Sequence, residues 1–389
     1  MTSVKAKVKP ELLRWARKSA GYSVTEAARK LSKLAPERLE QWESGEDHPT
    51  IAQLRHMARI YRHPLSVFYL PEVPTDFKVM HDFRRLPGEV AGQYSPALRH
   101  ELRSAQQHRE LALELYREGG EPLPRFSLRT TLTDDPETVG RRVRRALDVN
   151  YAQQTAWRDP RLAFNAWRSK IEQRGVLVFQ ASGLPVSEMR GFSIAKTQLP
   201  VIAVNSKDAY NGRTFSLLHE FTHLMLHESG LCDMDEDFYR LPEEQRVEVF
   251  CNAVAAATLI PSEALLSEKT VSAYGEQSIE WGDDDLRNLS RRYSASREVV
   301  LRRLLTLGRT TRAFYQAKRQ QFLEEYKARQ EESSGFARWH QRKVSSFGKP
   351  FIRLIFDTYY QDRITLSDVS RYLGVKTKHL PDIESAVRT

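Results

Sequence analysis

The stretch His219-Glu220-Phe221-Thr222-His223 constrains this chain most, because it sets three polar side chains into an otherwise apolar helix. Phe215, Leu217 and Leu218 precede it, and Leu224, Met225 and Leu226 follow. Apolar residues therefore fall on nearly every side of the helix and predict its burial. A buried polar group without a partner costs about 1–3 kcal/mol, and a buried charge costs more. His219 and His223 stand one helical turn apart and project from one face. That spacing suits two corners of a tetrahedral Zn²⁺ site, with Glu220 beside them to handle the proton of a water.

A third ligand is sought downstream, where Glu248-Val249-Phe250-Cys251-Asn252 opens a second apolar helix running to Pro261. Glu248, Cys251, Asn252, Ala255 and Leu259 share one face of it. A carboxylate at the mouth of so apolar a helix is explained if it points at a metal, and His₂Glu is an established zinc set. Other readings stand beside this one. Glu248 can be a solvated first-turn residue favoured by the helix dipole. Asp233, Asp235, Glu236 and Asp237 form an acidic loop that reads as a solvated connection but offers carboxylates. Cys251 can ligate zinc, although a lone cysteine among alanines reads as a small buried hydrophobe. His227 reads as a helix-end residue. A metzincin pattern needs histidine six residues beyond His223, where Ser229 stands.

These residues, together with Arg174-Gly175-Val176-Leu177-Val178, Gly191-Phe192-Ser193-Ile194 and Val201-Ile202-Ala203-Val204-Asn205, carry a resemblance. With the HExxH helix and the run from Glu248 and Asn252 through Ala255-Ala256 to Leu259-Ile260-Pro261, residues 155–310 look like the ImmA/IrrE family of metallopeptidases. The resemblance implies a zincin-like domain with a helix, a small sheet and the zinc helices. It also implies that His219, His223 and Glu248 are the metal ligands and that Glu220 is the catalytic acid/base. The chain departs from the family pattern at Cys251, where alanine is usual, and at Phe221-Thr222, where small residues are usual. Phe221 would narrow the space beneath the metal.

The front of the chain has another character. Residues 8–70 read as five short helices. Ser23 and Glu26 form a capping box, Pro36 opens the next helix and Gly45 ends it. Leu39 and Trp42 point inward, and Pro49-Thr50 starts a helix with Ile51, Leu54, Met57, Ala58 and Tyr61 inward. This pattern resembles the XRE-type helix-turn-helix, which places its second helix in the major groove. Residues 1–38 hold ten Lys/Arg, Arg17 among them, against Glu11, Glu26 and Glu37, an excess suited to phosphate contact. Lys18 and Lys33 are the candidate phosphate contacts. Glu37 and Glu40 on the reading helix repel phosphate, which leaves Arg38 and Gln41 as base readers. A protein-docking helical module is the alternative.

Tyr69–Pro74 reads as an exit from this module, and Asp82-Phe83-Arg84 as a local clasp. Ser95-Pro96 opens a long spacer helix with Leu98, Leu102, Ala105, Ala112 and Leu115 inward, closed at Gly119-Gly120. Beyond the zinc helices, Leu286, Leu289, Tyr293, Val299, Val300, Leu304 and Leu305 lie on helical spacing, with Arg291, Arg292, Arg297, Arg302 and Arg303 outside. A charged helix runs from Phe314 to Glu332. Residues 365–376 also resemble helix-turn-helix geometry, with a plain helical bundle packing on the peptidase domain or a second subunit as the alternative.

The expected fold is mainly α with a small β-sheet (α+β). Its parts are an XRE-type domain at 1–72, a linker with a long helix at 73–125, an ImmA/IrrE-like metallopeptidase domain at 126–310 and a helical C-terminal region at 311–389. Net charge +10 and pI near 9.5 favour a nucleic-acid partner. Two cysteines, Cys232 and Cys251, suggest neither zinc-finger spacing nor a disulfide framework, and fit a reducing cytosol. Met1–Pro10 lacks the apolar core of a signal peptide, and no apolar run is long enough to span a bilayer. The expected function is a cytoplasmic zinc metalloendopeptidase with one Zn²⁺ per chain, Asn252 orienting Glu248, and a DNA-binding module. The expected substrate, on the resemblance, is a helix-turn-helix repressor whose cleavage switches a stress, mobile-element or phage-response programme. Double-stranded DNA is an expected partner, a membrane is not, and homodimerisation is left open. The alternatives are a DNA-binding regulator whose peptidase fold is a sensor or scaffold, and the peptidase half of a toxin–antitoxin or defence pair.

Overall fold

Capping chemistry shapes the front of the chain. In the computed structural model, which describes residues 4–74, 81–82, 94–227, 230–232, 242–330 and 339–388, this part folds as α1 (Pro10–Ser19), α2 (Val24–Lys30), α3 (Pro36–Ser44), α4 (Ile51–Tyr61) and a 3₁₀ turn at Leu65–Tyr69. The Ser23 hydroxyl accepts from Glu26 N–H while the Glu26 carboxylate accepts from Ser23 N–H, and Thr50 and Gln53 repeat the arrangement on α4. Pro36 opens α3, and Gly45 closes it at φ 87°, a conformation open to glycine at little cost. Ala27, Leu39, Trp42, Leu54, Met57 and Tyr61 meet in one core.

Two expectations for this region are corrected. Ile51 is 36% exposed rather than inward, because it is the first helical residue of α4 and lies beyond the layer that covers Leu54 and Met57. Arg17 does not face phosphate: it is buried, and its guanidinium grips the carboxylate of Glu43.

Of the described residues, 4–74 and 94–104 form one compact unit, and 81–82 and 105–388 a second. Strand β1 (His81–Asp82) belongs to the second, and α5 (Pro96–Gly119) gives its first turns to the first unit and the rest to the second. Its Leu98, Leu102, Ala105, Ala112 and Leu115 are all buried. Phe83, Arg84 and Ser229, like the acidic loop from Asp233 to Asp237, lie outside the described residues.

The second unit continues with α6 (Pro136–Ala146), α7 (Tyr151–Ala156), α8 (Pro160–Glu172), β2 (Leu177–Ala181), β3 (Gly191–Ile194), β4 (Val201–Asn205), α9 (Tyr210–Leu226), β5 (Gly230–Cys232) and α10 (Pro242–Leu259). The sheet order is β1-β5-β3-β4-β2, with β2 parallel to β4, β3 antiparallel to β4 and β5, and β1 parallel to β5. Every residue of β2, β3 and β4 is buried, so these strands read as apolar runs without alternation. Helix α9 packs on β3 and β4, and α10 packs on α9 and α6. At the α6–α10 crossing a Cβ on Gly140 would stand 2.9 Å from the Ala257 carbonyl carbon, so only glycine admits this close approach. That crossing fixes the helix carrying Glu248.

The helices α11 (Ser262–Leu266), α12 (Lys269–Ser272), α13 (Asp283–Tyr293), α14 (Arg297–Thr306) and α15 (Arg312–Gln330) follow. Arg303, expected outside, is buried at 3% exposure: its Nε donates to Ile260 O at 2.8 Å, and its guanidinium pairs with Glu137. The cation supplies a donor to a carbonyl just past the end of α10, which explains why it turns inward. The chain ends in α16 (Trp339–Phe347), α17 (Lys349–Tyr360), α18 (Leu366–Leu373) and, after a 3₁₀ turn at Thr377–His379, α19 (Leu380–Arg388). Helix α16 packs against β2. The whole is mainly α with a small sheet. Among the described residues no helix is long and apolar enough to cross a membrane.

Candidate metal centre

Helix α9 lies in the core along most of its length, which is why its polar residues must find partners inside the protein. His219, Glu220 and His223 are 2%, 1% and 0% exposed, and Glu248 on α10 is 3% exposed. The packing of α10 on α9 brings one ligand atom from each of His219, His223 and Glu248 within 4.8 Å of one another. The Nε2 atoms of the two histidines are 3.1 Å apart, Glu248 Oε1 is 3.1 Å from His223 Nε2, and Glu248 Oε2 is 3.4 Å from His219 Nε2.

The tautomers decide what such a cluster needs. Asn252 Oδ1 lies 2.9 Å from His219 Nδ1 and can only accept, so Nδ1 carries the hydrogen. In the neutral ring this leaves a lone pair on His219 Nε2, aimed at the same point as the carboxylate of Glu248. Burial acts to raise the Glu248 carboxyl, but positive charge on the two histidines and their hydrogen bonds outweigh it and hold it well below the usual range, so positive charge at this point stabilises the carboxylate. Lone pairs and a carboxylate converging in a buried space are matched by a divalent cation, and His₂Glu is a set that holds one. The donor set therefore fits a metal.

Glu220 stands beside the cluster. Its Oε2 is buried with no hydrogen-bond partner, and desolvation raises its carboxyl with Glu248 pushing the same way, against the pull of His223 and His219. Space for it comes from β3: a Cβ on Gly191 would lie 2.8 Å from Glu220 Oε1. The sequence pattern alone assigned Gly191 no role; its signal was a glycine at the start of an apolar strand, a mark of close approach.

Other candidates fall into place around this core. Asn252 holds His219 rather than Glu248, the partner expected for it. Cys251 stays outside the ligand group as a buried thiol that desolvation pushes up to about 11. His227 is the C-cap of α9, at φ 61°. Phe221, two residues from either histidine, lies on the far side of the helix and packs edge-on against Phe126 at 5.5 Å, so it does not narrow the space beneath the cluster. A cleft of about 870 Å³ reaches Asn252 and is lined by Phe215, Val249, Val299, Arg291 and Arg302.

In the first unit Arg38 and Gln41 lie exposed on α3, Lys33 in the preceding turn and Lys18 on α1. Arg38 is paired with Asp47 at 3.0 Å, and Asp47 also holds Lys5. Glu37 and Glu40 are exposed on the same helix.

No curated protein matches the chain. Residues 13–68 match the helix-turn-helix family, and residues 171–305 match the IrrE N-terminal-like domain of a peptidase family. The chain thus joins an XRE-type helix-turn-helix domain to an ImmA/IrrE-type peptidase domain.

Proposed function

We propose that this protein is a zinc-dependent endopeptidase whose ligands are His219, His223 and Glu248 and whose proton carrier is Glu220. The observation that supports this reading best is the convergence of three buried donors within 4.8 Å, with Glu220 Oε2 left without a hydrogen-bond partner beside them. A zinc ion bound there supplies Lewis acidity toward a peptide carbonyl and toward water. Glu220 takes the proton of the attacking water and delivers it to the leaving nitrogen. Asn252 holds His219 in the tautomer that keeps Nε2 free to ligate. Burial of the site keeps bulk water from competing for these groups.

The substrate in this reading is a protein, a helix-turn-helix repressor whose cleavage switches a stress or phage-response programme, and the front domain supplies contact with duplex DNA through Lys18, Lys33, Arg38 and Gln41. The pairing of this peptidase domain with a DNA-binding domain supports that substrate class.

The test is Glu220→Gln beside His223→Ala, assayed for zinc content and for cleavage of a co-expressed repressor. Glu220→Gln keeps its metal and loses activity by at least ~100-fold, the usual worth of a general base. His223→Ala loses both. Unchanged cleavage in metal-loaded Glu220→Gln removes Glu220 as the proton carrier, whereas no cleavage by the zinc-loaded natural chain rules the enzyme reading out and leaves a regulator with a scaffold domain.

A further inference from the structure

The last helices of the chain repeat the internal plan of the front domain. In the front domain Ser23 caps α2, and Ala27, Leu31, Leu39 and Trp42 are among the residues buried after it. At the C-terminus Thr365 caps α18, and Val369, Leu373, Leu380 and Ile383 are among the residues buried after it. The first two stand at the same distance from the cap in both, and the last two arrive one residue sooner because the C-terminal turn is one residue shorter. Both caps are reciprocal boxes, Ser23 with Glu26 and Thr365 with Asp368.

Both turns pass through the left-handed region, at Ser32 and Lys33 in front and at Gly374, φ 59°, at the back. The C-terminal turn is pinned by Val375 N donating to Ser370 O at 3.0 Å and Ser370 Oγ donating to Val375 O at 2.5 Å. A preceding helix closes each core, α1 with Leu12, Leu13 and Ala16, and α17 with Phe351, Ile352 and Ile355.

The outward faces differ in charge. By the shared register, Lys378 takes the place of Glu37, Pro381 that of Glu40 and Asp382 that of Gln41. Lys376, Thr377, Lys378, Pro381, Asp382 and Ser385 are all exposed. Neither lysine has an ion-pair partner among the described residues. The large apolar side chains of α19, Leu380, Ile383 and Val387, are all buried, so this face offers a partner protein little to bury. Two free cations on a polar face that opens the second helix of a helix-turn-helix suit a phosphate backbone.

We propose that residues 365–388 form a second nucleic-acid-binding helix-turn-helix that engages duplex DNA, with Lys376 and Lys378 on phosphate and Thr377, Pro381 and Asp382 at the groove. B-form DNA is the duplex whose major groove admits a helix, whereas the A-form RNA groove is too narrow. The proposal is independent of the peptidase chemistry.

It is tested on the full chain with random-sequence duplex DNA and duplex RNA across a salt series. Lys376→Glu with Lys378→Glu is made in two backgrounds, the natural chain and one carrying Lys18→Glu with Lys33→Glu. Both C-terminal positions are exposed, so thermal unfolding stays unchanged, and Lys376→Arg with Lys378→Arg preserves binding. The expected result is that the C-terminal pair weakens DNA binding about tenfold or more at low salt in both backgrounds. The slope of log K against log salt falls by about two, one for each phosphate that is no longer neutralised. Duplex RNA binds more weakly than DNA. Affinity and slope unchanged in both backgrounds, or no binding by the natural chain, overturn the proposal and leave this bundle a protein-docking element.

Discussion

Two buried polar clusters in this chain are built from similar parts and come to opposite states. In the front unit Arg17 Nε and Nη2 each lie 2.7 Å from a Glu43 carboxylate oxygen, and Arg17 Nη1 donates to Tyr22 O at 2.9 Å. Donors face acceptors, and the cluster closes on itself. In the second unit His219, His223 and Glu248 are as deeply buried, yet they bring acceptors together. The only hydrogen that a neutral His219 carries on its ring nitrogens is already given to Asn252. A buried charge pair that is complete holds a fold in one register. A buried set that lacks only a cation is a binding site. The difference lies in the sign of the groups that meet, and burial by itself would not separate the two cases.

The largest effect that would break this contrast comes from the closed cluster. Glu43→Ala leaves Arg17 charged and uncompensated in the core and should cost about 3–5 kcal/mol of stability. Denaturant unfolding measures it, and zinc content should not change. A loss under about 1 kcal/mol, the range of an exposed pair, would mean that Arg17 and Glu43 are solvated and that the contrast does not hold. Glu248→Ala should do the reverse. It keeps the fold of the metal-free chain, lowers zinc from about one ion per chain to near none, and removes the stabilisation that zinc gives, which is about 2.7 kcal/mol at a hundredfold excess over Kd. Metal analysis and thermal unfolding with and without zinc read it. Full zinc retention in Glu248→Ala would move the third ligand elsewhere, with Asp235→Ala as the next variant to test.

The smallest effect is Gly191→Ala, whose methyl group would stand 2.8 Å from Glu220 Oε1. Overpacking of this kind costs about 1–3 kcal/mol. It should appear as slower cleavage with zinc unchanged, because Glu220 shifts while the ligands stay. An alanine variant as active as the natural chain would show that Glu220 has room to spare.

Much of this molecule was legible along the chain because its signals are local. The capping box at Ser23, the helix start at Thr50, the glycine that ends α3, and the one-turn spacing of His219 and His223 follow from residues within a few positions of one another. The failures share one cause. Ile51, Arg303 and Phe221 sit on helices that periodicity placed correctly, and whether distant chain covers them, as it does Arg303 and Phe221 but not Ile51, has no mark in the period. Arg303 turns inward because the end of α10 presents a carbonyl to it, and Phe221 turns away from the cluster toward Phe126.

The sequence by itself determined which residues could bind metal and that two helices would carry them, since residue type and helical period are properties of the chain. Only the tertiary structure decided that Glu248 meets both histidines, that Asn252 serves His219, and that Gly191 makes room for Glu220. Those contacts depend on how α9, α10 and β3 pack. That packing is set by close approaches such as Gly140 against Ala257, between segments more than a hundred residues apart. Such an approach has no period in the sequence and is visible only when the chain is folded.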